Sequence, residues 1–214
     1  MEVDKILPPV TPFLKVKLDQ DQIDYLWKII DIAKTKNLNF NQELVGNISQ
    51  SLLLDDLDSF FYKSVCVPLV QYYRKNNYDG IDPVSQNVLL GPEARLILNS
   101  FWVNYQYKTE FNPYHDHSGV YSFAIWLKIP YSWNDQKNLP QFKYLNDKDV
   151  RAGVFEFEYN DSLGGIRNYT YRLSPDYEGL MLFFPAKLRH CVYPFFDTNE
   201  PRISIAGNLS FLPA

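Results

Sequence analysis

The chain has 214 residues, of which 46% are hydrophobic and 16% are aromatic, and its formal net charge at pH 7 is −4. Such an apolar, aromatic sequence excludes intrinsic disorder, and the length suits one domain with a single core. The small negative charge provides no general attraction to nucleic acid or to anionic membranes, so neither is expected as a partner. The sequence also lacks a run of about 18 apolar residues that could form a membrane helix.

Cysteine content and the N-terminus indicate the compartment. The chain has two cysteines, Cys66 and Cys191, so we expect neither a disulfide framework nor a cysteine-rich zinc site. The N-terminal residues MEVDKILPPVTPF lack the basic and apolar regions of a secretion signal. These features predict a cytoplasmic protein.

Two segments near the N-terminus show helical periodicity. In residues 19–36, Ile23, Trp27 and Ile30 recur at spacings of three and four, and residues 58–74 follow the same pattern. Both segments therefore predict amphipathic helices packed against a larger structure. These helices could cover that structure or form the contact of a homodimer.

Beyond residue 95 the sequence changes to short runs rich in β-branched and aromatic residues, which indicate strands. Many short strands in succession favour a sandwich or barrel over a parallel sheet. We therefore predict an α+β fold dominated by β, a double-stranded β-helix (jelly roll) with N-terminal packing helices. It would form a single domain, in which residues 1–95 are mainly helical support and residues 96–211 form the jelly-roll core. The predicted strands are residues 96–107, 119–129, 153–159, 169–173, 180–185, 191–195 and 202–211, with a long polar loop at 130–150.

The chain contains three histidines: His115, His117 and His190. On an extended strand, His115 and His117 would point to the same face, where two imidazoles can reach one ion. His190 follows a predicted strand, and strands remote in sequence face each other across a jelly roll, so it is a candidate third ligand. Imidazole suits Fe, Zn, Cu and Ni, and three protein ligands leave positions open for catalysis. The alternatives are surface histidines for the pair and a packed strand histidine for His190.

Arg202 and Ser204 share one face of the last predicted strand, while Ile203 points to the other. An inward Arg in a barrel is costly unless an anion meets it. A guanidinium beside a hydroxyl is well suited to hold a carboxylate through parallel hydrogen bonds. The alternative for Arg202 is a structural salt bridge with Glu178 or Glu200.

Two segments carry these residues in the order His-x-His, distal His and Arg-x-Ser: NPYHDHSGVYSFAIWLKIP and LMLFFPAKLRHCVYPFFDTNEPRISIAGNLSF. This order resembles the 2-oxoglutarate/Fe(II)-dependent dioxygenases, in particular a microbial and phage branch that is prolyl-hydroxylase-like. The resemblance covers residues 96–211. It implies an oxidoreductase that binds Fe(II) and 2-oxoglutarate and hydroxylates a substrate, with release of succinate and CO₂. The sequence does not indicate which small molecule or peptide is the substrate.

The resemblance also implies roles for individual residues. It assigns His115, His117 and His190 to the metal. It assigns Arg202 and Ser204 to the distal carboxylate of 2-oxoglutarate, and Tyr105 also to the binding of 2-oxoglutarate. Tyr105 lies ten residues before His115, where related enzymes often have a tyrosine that binds the cosubstrate. The alternative for Tyr105 is a core aromatic residue in a strand.

One feature departs from the superfamily pattern. The usual second metal ligand is a carboxylate, and here the corresponding residue is His117. Asp116 would face away from His115 on a regular strand, but a β-bulge could turn it inward, so Asp116 is the alternative ligand. Two other functions stay open at this point. One is a cupin-like three-histidine metalloenzyme that does not use 2-oxoglutarate, and the other is a non-catalytic barrel module.

Overall fold

The computed structural model describes residues 12–43, 45–76, 95–161 and 163–212. The N-terminal residues considered for a secretion signal, and residues 77–94 of the predicted helical part, lie outside the described residues. The described helices are α1 (Gln20–Lys36), α2 (Val67–Lys75, directly after a π-helical turn at Tyr62–Cys66) and α3 (Trp133–Gln136). The described strands are β1 (Leu14–Lys17), β2 (Gln50–Leu53), β3 (Leu96–Gln106), β4 (Asn112–His115), β5 (Tyr121–Lys128), β6 (Val154–Asn160), β7 (Ile166–Arg172), β8 (Leu180–Pro185), β9 (Arg189–Val192) and β10 (Arg202–Phe211).

Helix α1 has clear start and stop signals. The Asp19 side chain accepts a hydrogen bond from the backbone N–H of Gln22, and the Gln22 side chain accepts one from Asp19, which forms a capping box. The helix ends at Asn37, whose left-handed conformation (φ 50°) is common at C-caps. Its buried face includes Leu26 and Ile30, so the amphipathic helix predicted at residues 19–36 is confirmed.

The strands form two antiparallel sheets. The larger sheet has the order β1-β8-β5-β10-β3-β2, and the smaller sheet has the order β4-β9-β6-β7. Strands β3 to β10 form the jelly roll itself. Four of them in the larger sheet (β8-β5-β10-β3) face the four strands of the smaller sheet (β4-β9-β6-β7), and this strand order is that of a jelly roll. Strands β1 and β2 extend the larger sheet at its two edges. The predicted α+β fold dominated by a jelly roll is confirmed.

The outer face of the larger sheet is covered by helices α1 and α2. Alternate residues of β3 and β10, such as Val103 and Ile205, pack with helical residues such as Leu26 and Val70 in one apolar cluster. Because side chains alternate along a strand, the remaining residues of β3 and β10 point to the space between the sheets. The N-terminal helices therefore pack against the jelly roll, as the periodicity predicts.

A second cluster, rich in aromatic side chains, lies between the two sheets. Phe157 of β6 and Phe184 of β8 approach with ring centroids 4.9 Å apart, and Trp126 and Phe155 pack beside them. The rest of the interior is polar, with buried Asn104, Gln106, His190 and Arg202. The position of these polar side chains locates the candidate site inside the jelly roll.

Three strands lack a clear signal in the sequence. Strands β1, β2 and β4 have only four residues each, too few for alternation to stand out from loop sequence. The predicted loop at residues 130–150 contains helix α3 and two short 3₁₀ turns. Trp133 of α3 is buried against Val150, so this segment packs on the body of the protein.

Candidate metal centre

The three histidines of the chain converge in space. Their ligand nitrogens lie within 4.8 Å of one another. The ring centroids are 4.9 Å apart for His115 and His117, 4.3 Å for His115 and His190, and 5.1 Å for His117 and His190. A metal–nitrogen bond of about 2.1 Å requires the nitrogens to lie within about 4 Å of one another. Small side-chain rotations therefore bring all three around one ion.

Two local features produce this convergence. His115 is the last residue of β4 and lies directly opposite His190 on β9, so pairing of these strands brings the two imidazoles together. His117 lies beyond the end of β4, and its backbone N–H donates to the Ala186 carbonyl at 2.9 Å. Only one residue of the His-x-His pair is therefore on a strand, in contrast to the expectation that both are.

Backbone carbonyls orient two of the imidazoles. His115 Nδ1 lies 2.7 Å from the carbonyl oxygen of Pro113, and His190 Nδ1 lies 3.0 Å from that of Leu188. Because a carbonyl oxygen can only accept, each Nδ1 carries the proton and donates it. Each Nε2 then keeps the lone pair that a metal needs. This arrangement is common among metal-binding histidines.

Burial keeps the histidines neutral. It lowers the pKa of His117 to about 4, with a further contribution from neighbouring His115. The pKa of His190 is lowered well below its usual value, mainly by burial and then by His115. Burial also lowers the pKa of His115. At pH 7 all three are therefore neutral imidazoles, the form that binds metal ions.

The structure separates His117 from its neighbour Asp116. The Asp116 carboxylate faces outward and forms an ion pair with Lys187 at 3.0 Å. The cluster of potential ligands contains His117 and does not contain Asp116. Of the two alternatives for the second ligand, the geometry favours His117.

Arg202 is almost fully buried, with 1% of its surface exposed. Its guanidinium donates hydrogen bonds to the Tyr131 hydroxyl, at 2.6 Å, and to the side-chain oxygen of Gln106. Its buried Nε has no hydrogen-bond partner. A guanidinium has five N–H donors, so most of them stay available for an anion.

The structural salt bridges considered for Arg202 are not formed. Glu200 pairs with Lys128 at 2.9 Å, and Glu178 accepts a hydrogen bond from the backbone of Ile129 at 2.7 Å. Within the described ranges, no carboxylate lies at ion-pair distance from Arg202. A buried cation without a counter-charge is costly, and a bound anion would offset that cost.

Ser204 lies on the same inner face as Arg202, opposite Asn104 on β3 and Trp126 on β5. The next inward position on β10 is Ala206, which pairs with Ala124. These small side chains are only partly buried, although they point between the sheets. They leave accessible space inside the jelly roll beside Arg202.

Tyr105 does not join this group, so its role in cosubstrate binding stays a prediction that the geometry does not favour. Its neighbours Asn104 and Gln106 point inward, so strand alternation turns Tyr105 to the outer face. There it packs in the helix-facing apolar cluster, with the Lys34 ammonium 5.5 Å from its ring centroid. Tyr105 is therefore a core aromatic residue, which was the alternative interpretation.

Sequence analysis missed the two residues that hold Arg202. Gln106 could have been found, because a glutamine at an inward position of an otherwise aromatic and aliphatic strand requires a polar partner. Tyr131 lies beyond the end of β5, and nothing in its local sequence marks it. Its contact with Arg202 depends on the path of the chain after the strand.

A cleft of about 620 Å³ opens beside His115 and His117. One wall is formed by the aromatic pair Phe40 and Trp102, whose rings stack with centroids 5.3 Å apart. Phe40 belongs to the segment before the jelly roll, as does exposed Val45. The N-terminal part of the chain therefore contributes to the surface around the histidines.

The sequence matches a family model described as "Putative 2OG-Fe(II) oxygenase" over residues 100–208. This span covers half of the chain and includes the three histidines, Arg202 and Ser204. The chain belongs to this family. It is therefore an oxygenase that depends on Fe(II) and 2-oxoglutarate. No curated protein matches the chain significantly in sequence.

Several solved structures resemble the chain. A prolyl-4-hydroxylase from Pseudomonas putida is 13% identical with a TM-score of 0.48, and the alignment covers 94% of this chain and 92% of the other. A viral collagen prolyl hydroxylase from Paramecium Bursaria Chlorella virus-1, solved with 2-oxoglutarate, is 12% identical with a TM-score of 0.49, at 92% and 94% coverage. An oxidoreductase of the 2OG-Fe(II) oxygenase family from Burkholderia pseudomallei is 11% identical with a TM-score of 0.43, at 91% and 92% coverage. The family assignment rests on the sequence match.

None of the described helices combines the length and apolarity needed to cross a membrane.

Proposed function

We propose that His115, His117 and His190 bind the Fe(II) of this oxygenase and that Arg202 and Ser204 bind the distal carboxylate of 2-oxoglutarate. The observation that carries the proposal is the convergence of three neutral imidazoles, two of which direct Nε2 away from a backbone carbonyl. A surface or packing role would not require three imidazoles, one buried and two half-buried, at this separation. The enzyme would then hydroxylate a substrate bound in the adjacent cleft.

The charge of the ligand set favours an anionic cosubstrate. Three imidazoles leave the full double positive charge of Fe(II), whereas two imidazoles and a carboxylate would leave one unit less. The additional positive charge strengthens attraction to the 2-oxoglutarate dianion. The outward ion pair of Asp116 with Lys187 supports this ligand set, because Asp116 is then engaged elsewhere.

Arg202 is held ready for a carboxylate. Tyr131 and Gln106 each bind one terminal nitrogen of the guanidinium, so little side-chain entropy is lost when an anion binds. The free donors can form parallel hydrogen bonds with two carboxylate oxygens. Ser204 adds a hydroxyl on the same inner face. These features support the role of Arg202 and Ser204 as the cosubstrate anchor.

The metal and the cosubstrate supply the reactivity, whereas the protein supplies the binding site around them. Bound Fe(II) and 2-oxoglutarate supply the oxidising power from O₂, with release of succinate and CO₂. The chain would hold both groups, and Trp126, Phe155 and Phe184 give part of the space between the sheets an apolar lining that disfavours water. Hydroxylation of a C–H bond then depends on how the cleft positions the substrate.

The cleft limits the kind of substrate. Besides the two histidines, its described lining contains four asparagines, two serines, Asp116 and several apolar and aromatic side chains, and no Lys or Arg. A polyanion such as nucleic acid would find no cationic side chain in this lining, and the absence of a nucleic-acid partner stays a prediction. Because residues before the jelly roll form part of this lining, we also propose that residues 1–214 function as a single domain.

The test is turnover of 2-oxoglutarate without added substrate, measured as succinate formation in the presence of Fe(II) and O₂. We expect succinate formation that requires Fe(II) and is abolished in His190→Ala. The matched control is Arg189→Gln, one residue earlier on β9, where the side chain faces outward to Glu158. It should retain activity.

Two other outcomes would reject the proposal. A metal-binding protein that forms no succinate would be a three-histidine metalloenzyme that does not use 2-oxoglutarate. A protein that retains no transition metal after purification without chelators would be a non-catalytic module.

A further inference from the structure

A buried carboxylate lies behind the metal centre, on the outer face of the smaller sheet. Glu156 of β6 is only 2% exposed. Its strand neighbours Phe155 and Phe157 belong to the aromatic cluster between the sheets, so Glu156 points to the opposite side. It is therefore separate from the cavity in which the histidines meet.

Glu156 is surrounded by donors. It accepts hydrogen bonds from the Tyr114 hydroxyl at 2.5 Å, the Thr170 hydroxyl at 2.6 Å and the Asn168 amide at 3.0 Å. Its second carboxylate oxygen also lies 3.0 Å from Arg151 Nε. A buried carboxylate is stable only when its oxygens are satisfied in this way. The donors come from β4, from β7 and from the segment before β6.

The donor on β4 is next to a proposed metal ligand. Tyr114 directly precedes His115, and the two side chains lie on opposite faces of the strand. Tyr114 also contacts the thiol of Cys191, the residue that follows His190 on β9. Tyr114 and Cys191 thus lie directly behind two of the three imidazoles.

Backbone pairing alone holds β4 weakly. It is a four-residue strand at the edge of the smaller sheet, and its register with β9 shifts between Asn112 and His115. Pro113 has no N–H to donate to the neighbouring strand. The side-chain bonds of Tyr114 to Glu156 and Asn168 therefore add an attachment on this strand's outer face.

We propose that Tyr114 and Glu156 are positioning residues of the metal centre: their hydrogen bond fixes the orientation of β4 and thereby directs the His115 imidazole toward the metal. The inference rests on the proposed function, since it takes His115 as a ligand. The effect of this hydrogen bond on His115 is transmitted by the backbone of β4. Neither Tyr114 nor Glu156 touches the metal or the substrate.

Two single-hydroxyl deletions test this role. Tyr114→Phe and Thr170→Val each remove one hydroxyl donor to Glu156, but only Tyr114 belongs to a strand that bears a histidine. The probe is Co(II), whose affinity and visible absorption spectrum are measured in the purified full-length chain. Thermal unfolding of the metal-free variants provides the stability comparison.

We expect Tyr114→Phe to weaken Co(II) binding about tenfold and to shift the visible bands, because loss of an outer support typically costs metal affinity of this order. Thr170→Val should leave Co(II) affinity and spectrum unchanged, although it should lower the melting temperature of the metal-free protein by about as much as Tyr114→Phe does. Equal effects of the two variants on Co(II) would show that the network only satisfies a buried carboxylate.

Further variants keep the outcome decisive. If Tyr114→Phe does not fold, Glu156→Gln should still shift the Co(II) bands, because a neutral amide binds the phenol more weakly than a carboxylate. Unchanged bands would overturn the inference. A wild-type protein that binds no Co(II), or a His117→Ala variant that binds it normally, would instead reject the ligand assignment of the proposed function.

Discussion

The two faces of strands β3 and β10 have different compositions. On the outer face, Val103, Ile203 and Ile205 pack against the N-terminal helices in an apolar cluster. On the inner face of the same strands, Arg202 and Ser204 leave donors and accessible space. Residues adjacent in sequence therefore belong to different environments.

Adjacent residues on these strands therefore have different roles: one contributes to the stability of the fold and the next to ligand binding. The outer face gains free energy from buried apolar area, whereas the inner face contains a buried cation that lacks a counter-charge. Substitutions on the outer face should destabilise the fold and leave ligand affinity intact. Substitutions on the inner face should do the reverse.

The largest expected effect is on cosubstrate binding. Arg202→Met keeps the volume but removes the charged donors, so the affinity for 2-oxoglutarate should fall at least about hundredfold, or about 3 kcal/mol. Affinity for Co(II) should hardly change. Calorimetric titration of both ligands measures the difference, with Lys128→Met at an exposed cation of β5 as the control. Equal loss of both ligands would contradict the role of Arg202.

The corresponding change on the outer face affects stability. Ile205 is fully buried, so Ile205→Ala should lower the free energy of unfolding by about 3 kcal/mol. Its neighbour Ser204 faces inward, and Ser204→Ala should weaken 2-oxoglutarate binding about tenfold with little loss of stability. Urea denaturation and ligand titration on both variants test the separation. A stability loss in Ser204→Ala as large as that in Ile205→Ala would remove the distinction between the faces.

A smaller effect distinguishes two neighbours on β3. Gln106→Leu removes one bond that holds the guanidinium, so 2-oxoglutarate affinity should fall by up to about tenfold. Tyr105→Phe alters the helix-facing side and should leave the affinity unchanged. The dissociation constants of 2-oxoglutarate decide between them. Weaker binding in Tyr105→Phe alone would restore the role that the resemblance implied for this residue.

The smallest effect is expected at Asp116. Asp116→Asn breaks an exposed ion pair with Lys187, which should change the free energy of unfolding by less than about 1 kcal/mol. Co(II) affinity should stay close to that of the wild type, whereas His117→Asn should lose most of it. Metal titration of the two variants is the measurement. The opposite result would identify Asp116 as the second ligand.

Much of the fold could be predicted because local patterns were strong. Helix α1 has both a hydrophobic stripe and a capping box, and β5 and β10 are long runs of strand-forming residues. Strands β1, β2 and β4 have four residues each, and their formation depends on the neighbouring strand. No local pattern could predict that partner, because pairing joins residues far apart in sequence.

The candidate site shows the same division. The spacing of the His-x-His pair and the Arg-x-Ser pair, with the resemblance that they carry, was enough to nominate the metal and cosubstrate residues. The spacing did not determine that Tyr105 lies on the outer face, because a shift of one position reverses the direction of a strand side chain. Gln106 and Tyr131 could be linked to Arg202 only after the chain was folded.

By itself, the sequence determined the class of protein: a helix-supported jelly roll of the Fe(II)- and 2-oxoglutarate-dependent oxygenases, with three histidines and an Arg-x-Ser pair. The tertiary structure alone decided that β4 pairs with β9 beside the cleft, that Asp116 turns outward, and that Glu156 accepts a hydrogen bond from Tyr114, the residue before His115. The reason is physical. Composition and periodicity report the environment that a side chain needs, whereas contacts between remote strands depend on how the two sheets pack together.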